Sequence, residues 1–135
     1  MAGTLTISTL SDCTNSTSST NCIKGSAKAW VNWTGGTTTI NASYNVSSIT
    51  RSATGNYTVN FTTALTDANY AVGFAFSNSG VVSGLTANIG LVGPNGNSNT
   101  YSAAGITTTS CQFLVSWANS TPLDPTGFSS MIFLR

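Results

Sequence analysis

The stretch 25-GSAKAWVNWTGGTTTINASYNVSSITRSATGNYTVNFT-62 decides how the rest of the chain is read. Just before and within it, Ile23, Ala27, Ala29, Val31 and Trp33 fall at odd positions, while Lys24, Ser26, Lys28 and Asn32 fall at even ones. Alternation of period two marks a half-buried strand, predicted here over Ile23 to Trp33. Trp30 breaks the pattern by placing a large aromatic on the face that carries the lysines. Gly35-Gly36 reads as a turn, because glycine reaches positive φ at little steric cost. The chain returns with Ile40, Ala42, Tyr44 and Val46 on one face. Its phase slips at Ser47-Ser48, as at a bulge, so that Ile49 and Arg51 run out of step. Ser52 to Asn56 is a tight connection, and Tyr57, Val59 and Phe61 resume clean alternation. The whole is a β-meander.

Further along, Tyr70, Val72, Phe74 and Phe76 share a face, with Ala71, Gly73 and Ala75 opposite. Small residues on one face favour close approach of another layer or subunit. Leu85, Ala87, Ile89 and Leu91 form the next alternating run, ended by Gly93-Pro94-Asn95-Gly96-Asn97. Tyr101 to Thr107 is a weaker strand and Cys111 to Trp117 a strong one. Ala118 to Gly127 contains Pro122 and Pro125 and reads as an exposed loop. Met131-Ile132-Phe133-Leu134 is apolar on both faces, as in a strand buried at a centre. The expected architecture is all-β: an antiparallel β-sandwich of jelly-roll type, with eight or nine short strands and no helical periodicity. Residues 1–21 read as a strand-like arm (Gly3 to Leu10) with a polar loop after it, and residues 22–135 as one sandwich domain.

Charged residues make up 5% of the chain, against roughly 25% in an average soluble domain. Lys24, Lys28, Arg51 and Arg135 are set against Asp12, Asp67 and Asp124, and there is no Glu or His. A net charge of +1 provides no basic footprint for nucleic acid or for an anionic membrane. The missing charge is replaced by Ser, Thr, Asn and Gly. A neutral surface favours association of a small domain, which points to an oligomer. The N-terminus lacks the basic and apolar regions of a signal peptide, and no apolar run is long enough for a spanning helix. A complete small gene product is therefore expected.

Without histidine, the commonest general base and metal ligand is missing. The three aspartates lie in separate loop-like segments and read as turn caps rather than as a paired acid and base. Neither a nucleotide-binding loop nor a nucleophile elbow occurs. An enzyme is not expected, nor any cofactor or metal. Cys13, Cys22 and Cys111 are odd in number and too few for a four-thiolate zinc site. Whether Cys13 and Cys22 pair stays open. Cys111, alternating with Phe113, Val115 and Trp117, reads as a small buried hydrophobe.

The strings Ala27–Trp33 (AKAWVNW), Tyr44–Ile49 (YNVSSI), Gly55–Thr62 (GNYTVNFT) and Asp67–Tyr70 (DANY) resemble a β-rich module of bacteriophage tail-fibre proteins. The likeness covers about half of the chain, roughly residues 22 to 76. It implies a trimeric fibre tip on the virion surface that attaches to a host receptor, in a protein made in the host cytoplasm. Two alternatives stand beside it. One is a capsid decoration protein, held to other virion proteins by strand addition of the Gly3–Leu10 arm. The other is a carbohydrate-binding module. The Lys28–Trp30–Asn32 face is the candidate subunit interface. Aromatics flanked by Asn, Ser and Thr read first as core or interface residues and second as platforms for sugars. Trp117, with Asn119 and Tyr101, is the candidate site for a host-surface glycan.

Overall fold

Ala29, Val31 and Trp33 are buried on one side of a strand while Trp30 and Thr34 face outward, so the alternation in the opening stretch does set a strand. In the computed structural model, which describes residues 3, 6–76, 87–91, 105–117 and 121–135, that strand is β3 (Ala27–Thr34). Before it come β1 (Thr9–Ser11), β2 (Ser16–Ser18) and α1 (Ser19–Gly25). After it come β4 (Thr39–Tyr44), β5 (Val46–Ala53), β6 (Asn56–Phe61), β7 (Ala71–Phe76), β8 (Ala87–Leu91), β9 (Ser110–Trp117) and β10 (Phe128–Leu134).

Two four-stranded antiparallel sheets, ordered β4–β3–β10–β7 and β5–β6–β9–β8, enclose a common core. The fold is all-β and sandwich-like. The strands that open and close the sandwich along the chain, β3 and β10, lie side by side. The core draws on both sheets: Ala29, Val31, Trp33, Met131 and Phe133 from one, and Val59, Cys111, Phe113 and Val115 from the other, with Tyr57 and Phe61 beside them. Phe113 is its hub, stacked on Tyr57 at 5.6 Å and edge-on to Trp33 at 5.8 Å. A second group joins Phe61, Tyr70 and Phe133 in edge contacts of 5.0 to 5.9 Å. Cys111 is fully buried, and burial pushes its thiol up to about 12.

Several local expectations are corrected. Ile23 does not begin β3; it lies in α1, whose N-cap Ser18 accepts from the Asn21 N–H at 3.2 Å. Seven residues with no apolar stripe carry no helical period, so pattern reading passed over this helix. The polar segment after Leu10 is not plain loop either, since β1 and β2 pair as a separate two-stranded ribbon. Ile40, Ala42, Tyr44 and Val46 do not share a face. Asn41 is an extra residue in β4, which sends Ile40 against the core and Ala42 and Tyr44 outward. Asn45 then takes a left-handed conformation (φ 54°) and turns the chain into the other sheet, where Val46 is buried. Its side-chain amide donates to the carbonyls of Lys28 (3.2 Å) and Thr63 (3.1 Å), so this corner joins three segments.

The slip expected at Ser47-Ser48 is present as a register shift between Val46 and Ser48. The Gly35-Gly36 turn forms, but for a different reason: the residue with positive φ is Thr38 (57°). Gly35 is needed for space, because a Cβ there would collide with the carbonyl oxygen of Pro125. The Ser52–Asn56 connection does need a glycine conformation, at Gly55 (φ 71°).

Candidate functional site

Directly opposed residues on antiparallel strands share a face, so register alone maps the outer surface of the β4–β3–β10–β7 sheet. Trp30 pairs with Tyr44 on one side and Ile132 on the other, and Ile132 pairs with Gly73. One apolar row, Tyr44–Trp30–Ile132–Gly73, therefore crosses all four strands. Tyr44 is 58% exposed, Trp30 38% and Ile132 39%. Beside it runs a second row, Ala42–Asn32–Ser130–Ala75. Asn32 donates to Ser130 Oγ at 2.8 Å and accepts from the Asn41 amide at 2.9 Å, so its polar atoms are already engaged.

Between the rows lies an open groove of about 540 Å³, lined among others by Trp30, Asn32, Gly73, Ala75, Ser130 and Ile132. Among the described residues no ionisable side chain lines it. It can exclude water from an apolar partner, and Asn32 and Ser130 are the polar side chains among its lining residues.

Of the expected interface residues, Trp30 and Asn32 meet on this face. Lys28 sits at a bulge beside them, and its ammonium turns back to the Ile23 carbonyl and to Ser26 Oγ (2.9 Å). The small residues Ala71, Gly73 and Ala75 do lie on this outer side, where the size of Gly73 and Ala75 opens the groove. The row member that pattern reading missed is Ile132. The Met131–Leu134 run signals apolar character on both faces, but its outer half is not buried: Ile132 and Leu134 are 39% and 37% exposed. β10 is central within its sheet yet covered on only one face.

The glycan candidates separate differently. Trp117 ends β9 opposite Ala87, while Asn119 and Tyr101 lie outside the described residues. Near that end, the segment 121–127 is pinned by Asp124. Its Oδ1 accepts from Arg51 Nε (3.0 Å), the Tyr57 hydroxyl (2.6 Å) and the Gly55 N–H (2.9 Å), and Oδ2 accepts from Arg51 Nη2 (2.6 Å). The Arg51 guanidinium and these donors hold the Asp124 carboxyl near 2, below its ordinary 3.8. Burial, and then the bond to Asp124, raises Tyr57. The other aspartates cap turns: Asp12 accepts from the Thr14 and Asn15 N–H groups, and Asp67 from that of Asn69.

Because the folded pKa of Asp124 is depressed, its contribution to stability is complete above about pH 4 and is lost as pH falls towards 2. Asp124→Asn should cost about 1–2 kcal/mol at neutral pH, after allowing for solvent screening of a partly exposed pair. It should also flatten the acid limb between those pH values. Urea melts at pH 7, 4 and 2 check this. An unchanged acid limb would show that Asp124 is not the group responsible.

The fold and its site define an all-β sandwich with an apolar row and an open groove across one outer face. Neither a protein-family model, nor a curated protein, nor a solved structure matches the chain.

Proposed function

We propose that this chain is a non-enzymatic structural module of a bacteriophage particle, displayed on the virion surface as a homotrimer. In this reading it serves as a tail-fibre tip that attaches to a host receptor. The observation that supports assembly is the Tyr44–Trp30–Ile132 row with its open groove. A contiguous apolar surface on a nearly uncharged protein favours association, and symmetric neighbours bury it without leaving a charge unpaired. The phage setting draws on the tail-fibre likeness of residues 22 to 76, the segment that builds β3 to β7. Receptor contact is assigned to Trp117, Asn119 and Tyr101, with a host-surface glycan as ligand.

Light scattering at micromolar concentration should give three times the chain mass of 13.8 kDa. Purified trimer should slow adsorption of its own phage, because weak single sites are strengthened by multivalency. Trp117→Ala should abolish that competition while assembly persists. A monomer, or saturating trimer without effect on adsorption, would remove the reading.

A second reading, capsid decoration, is favoured by one observation. The β1–β2 ribbon belongs to neither four-stranded sheet, and its side chains are largely exposed, as suits an arm that reaches other virion proteins. It predicts no effect on adsorption, and earlier loss of DNA on heating from particles that lack the protein.

A further inference from the structure

Among the described residues, two parts of this chain lack cover. The first is the Trp30–Ile132 groove. The second is the arm, residues 6–26, in which neither strand nor helix contains a buried residue. A two-stranded ribbon is marginal in water by itself, and an isolated helix shorter than about 12–15 residues is too. The ribbon here has three residues in each strand, and α1 has seven. The arm nonetheless carries large apolar side chains in the open: Ile7 is 40% exposed, Leu10 54% and Ile23 65%. Such a segment holds its structure by lying on an apolar surface.

We propose that the occupant of the groove is the arm of a second copy of this chain, laid across the Tyr44–Trp30–Ile132 row. This rests on the oligomeric reading above and names what covers the face. Chemistry matches on both sides. The groove has no ionisable lining among the described residues, and the arm's carboxylate, Asp12, is already taken up by the Thr14 and Asn15 N–H groups; Lys24, the arm's one cation, docks without loss only with its ammonium left in water. The position of the arm fits as well. Lys28, two residues before Trp30 on β3, ties the Ile23 carbonyl, so the arm leaves the domain on the Trp30 side of the same outer face. Within one chain the arm's apolar residues and the groove both stay exposed, so the arm is not folded back on its own sheet. Contact of arm to neighbouring groove is heterologous, and repeated by rotation it closes a ring such as a trimer.

The native exposed Cys22 next to Ile23 supplies the test. In full-length chain carrying Cys13→Ser and Ala75→Cys, diamide oxidation should join Cys22 to the thiol introduced in the neighbour's groove. Non-reducing gels should then show species at two and three chain masses, and these should vanish when Cys22→Ser is added. Cross-linking confined to single chains means the arm covers its own groove and overturns the proposal. A trimer by light scattering that yields no cross-link overturns it too, while leaving the homotrimer intact; a monomer throughout removes both.

Mixing separates arm exchange from face-to-face packing. Full-length Ile7→Ser/Leu10→Ser/Ile23→Ser and full-length Trp30→Ala should each be monomeric. Together they should form a dimer, through the intact arm of one and the intact groove of the other. No complementation would show that two grooves pack directly, contrary to the proposal.

Discussion

Trp30→Ala should dissociate the oligomer and leave the sandwich folded. Truncating a large aromatic at the centre of an interface costs about 2–4 kcal/mol, or roughly 30- to 1,000-fold in affinity. Within one chain the same side chain lies on the outer face and is 38% exposed, outside the buried cluster that holds the two sheets together. Its loss should therefore change the unfolding free energy of the single chain by less than about 1 kcal/mol. Light scattering across a dilution series reads the first effect, and thermal melting of the monomer reads the second. Asn32 is a weaker determinant, since its amide is spent on Ser130 and Asn41 within the chain. A variant that stays assembled would clear Trp30 of any interface role. One that unfolds outright would make it a core residue.

Phe113→Ala should have the largest effect on stability. The ring is fully buried, stacks on Tyr57, meets Trp33 edge-on and approaches Phe74 at 6.3 Å, so it links both sheets. Removing a buried phenyl ring costs about 3–5 kcal/mol, because the neighbours collapse only partly into the space. Against a total of about 5–15 kcal/mol for a domain, that is a large share. The midpoint of thermal unfolding should fall by about 10–20 °C. Phe113→Leu, which fills most of the volume, should lose much less. Circular dichroism melts of the two variants decide the matter. A loss below about 1 kcal/mol for the alanine variant would mean that the sheets are held together elsewhere.

The tail-fibre reading and the assembly reading are separable. The first draws on residue likeness over β3 to β7, and adsorption competition tests it. The second draws on the apolar row, and mass in solution tests it. A trimer without effect on adsorption would keep the assembly and shift the role towards decoration of the particle.

What could be read directly from the residues is whatever depends on neighbours along the chain. Tyr57, Val59 and Phe61 alternate, and all three are buried, because a strand turns successive side chains to opposite faces. The same rule found β3, β9 and the small-residue face of β7, and the outlying position of Trp30. Local chemistry also marked the Asx turns at Asp12 and Asp67. Tertiary structure decided the rest, since pairing between distant segments leaves no local period. Only the placement of β10 between β3 and β7 puts Ile132 beside Trp30 and turns a scattered aromatic and a C-terminal apolar run into one groove. Likewise Gly35 owes its identity to the approach of Pro125, ninety positions further on, and not to the turn it occupies. Asp124, read as a loop cap, is instead the pin between a β5 arginine, a β6 tyrosine and the 121–127 segment, because folding brings their donors within 3.0 Å of one carboxylate.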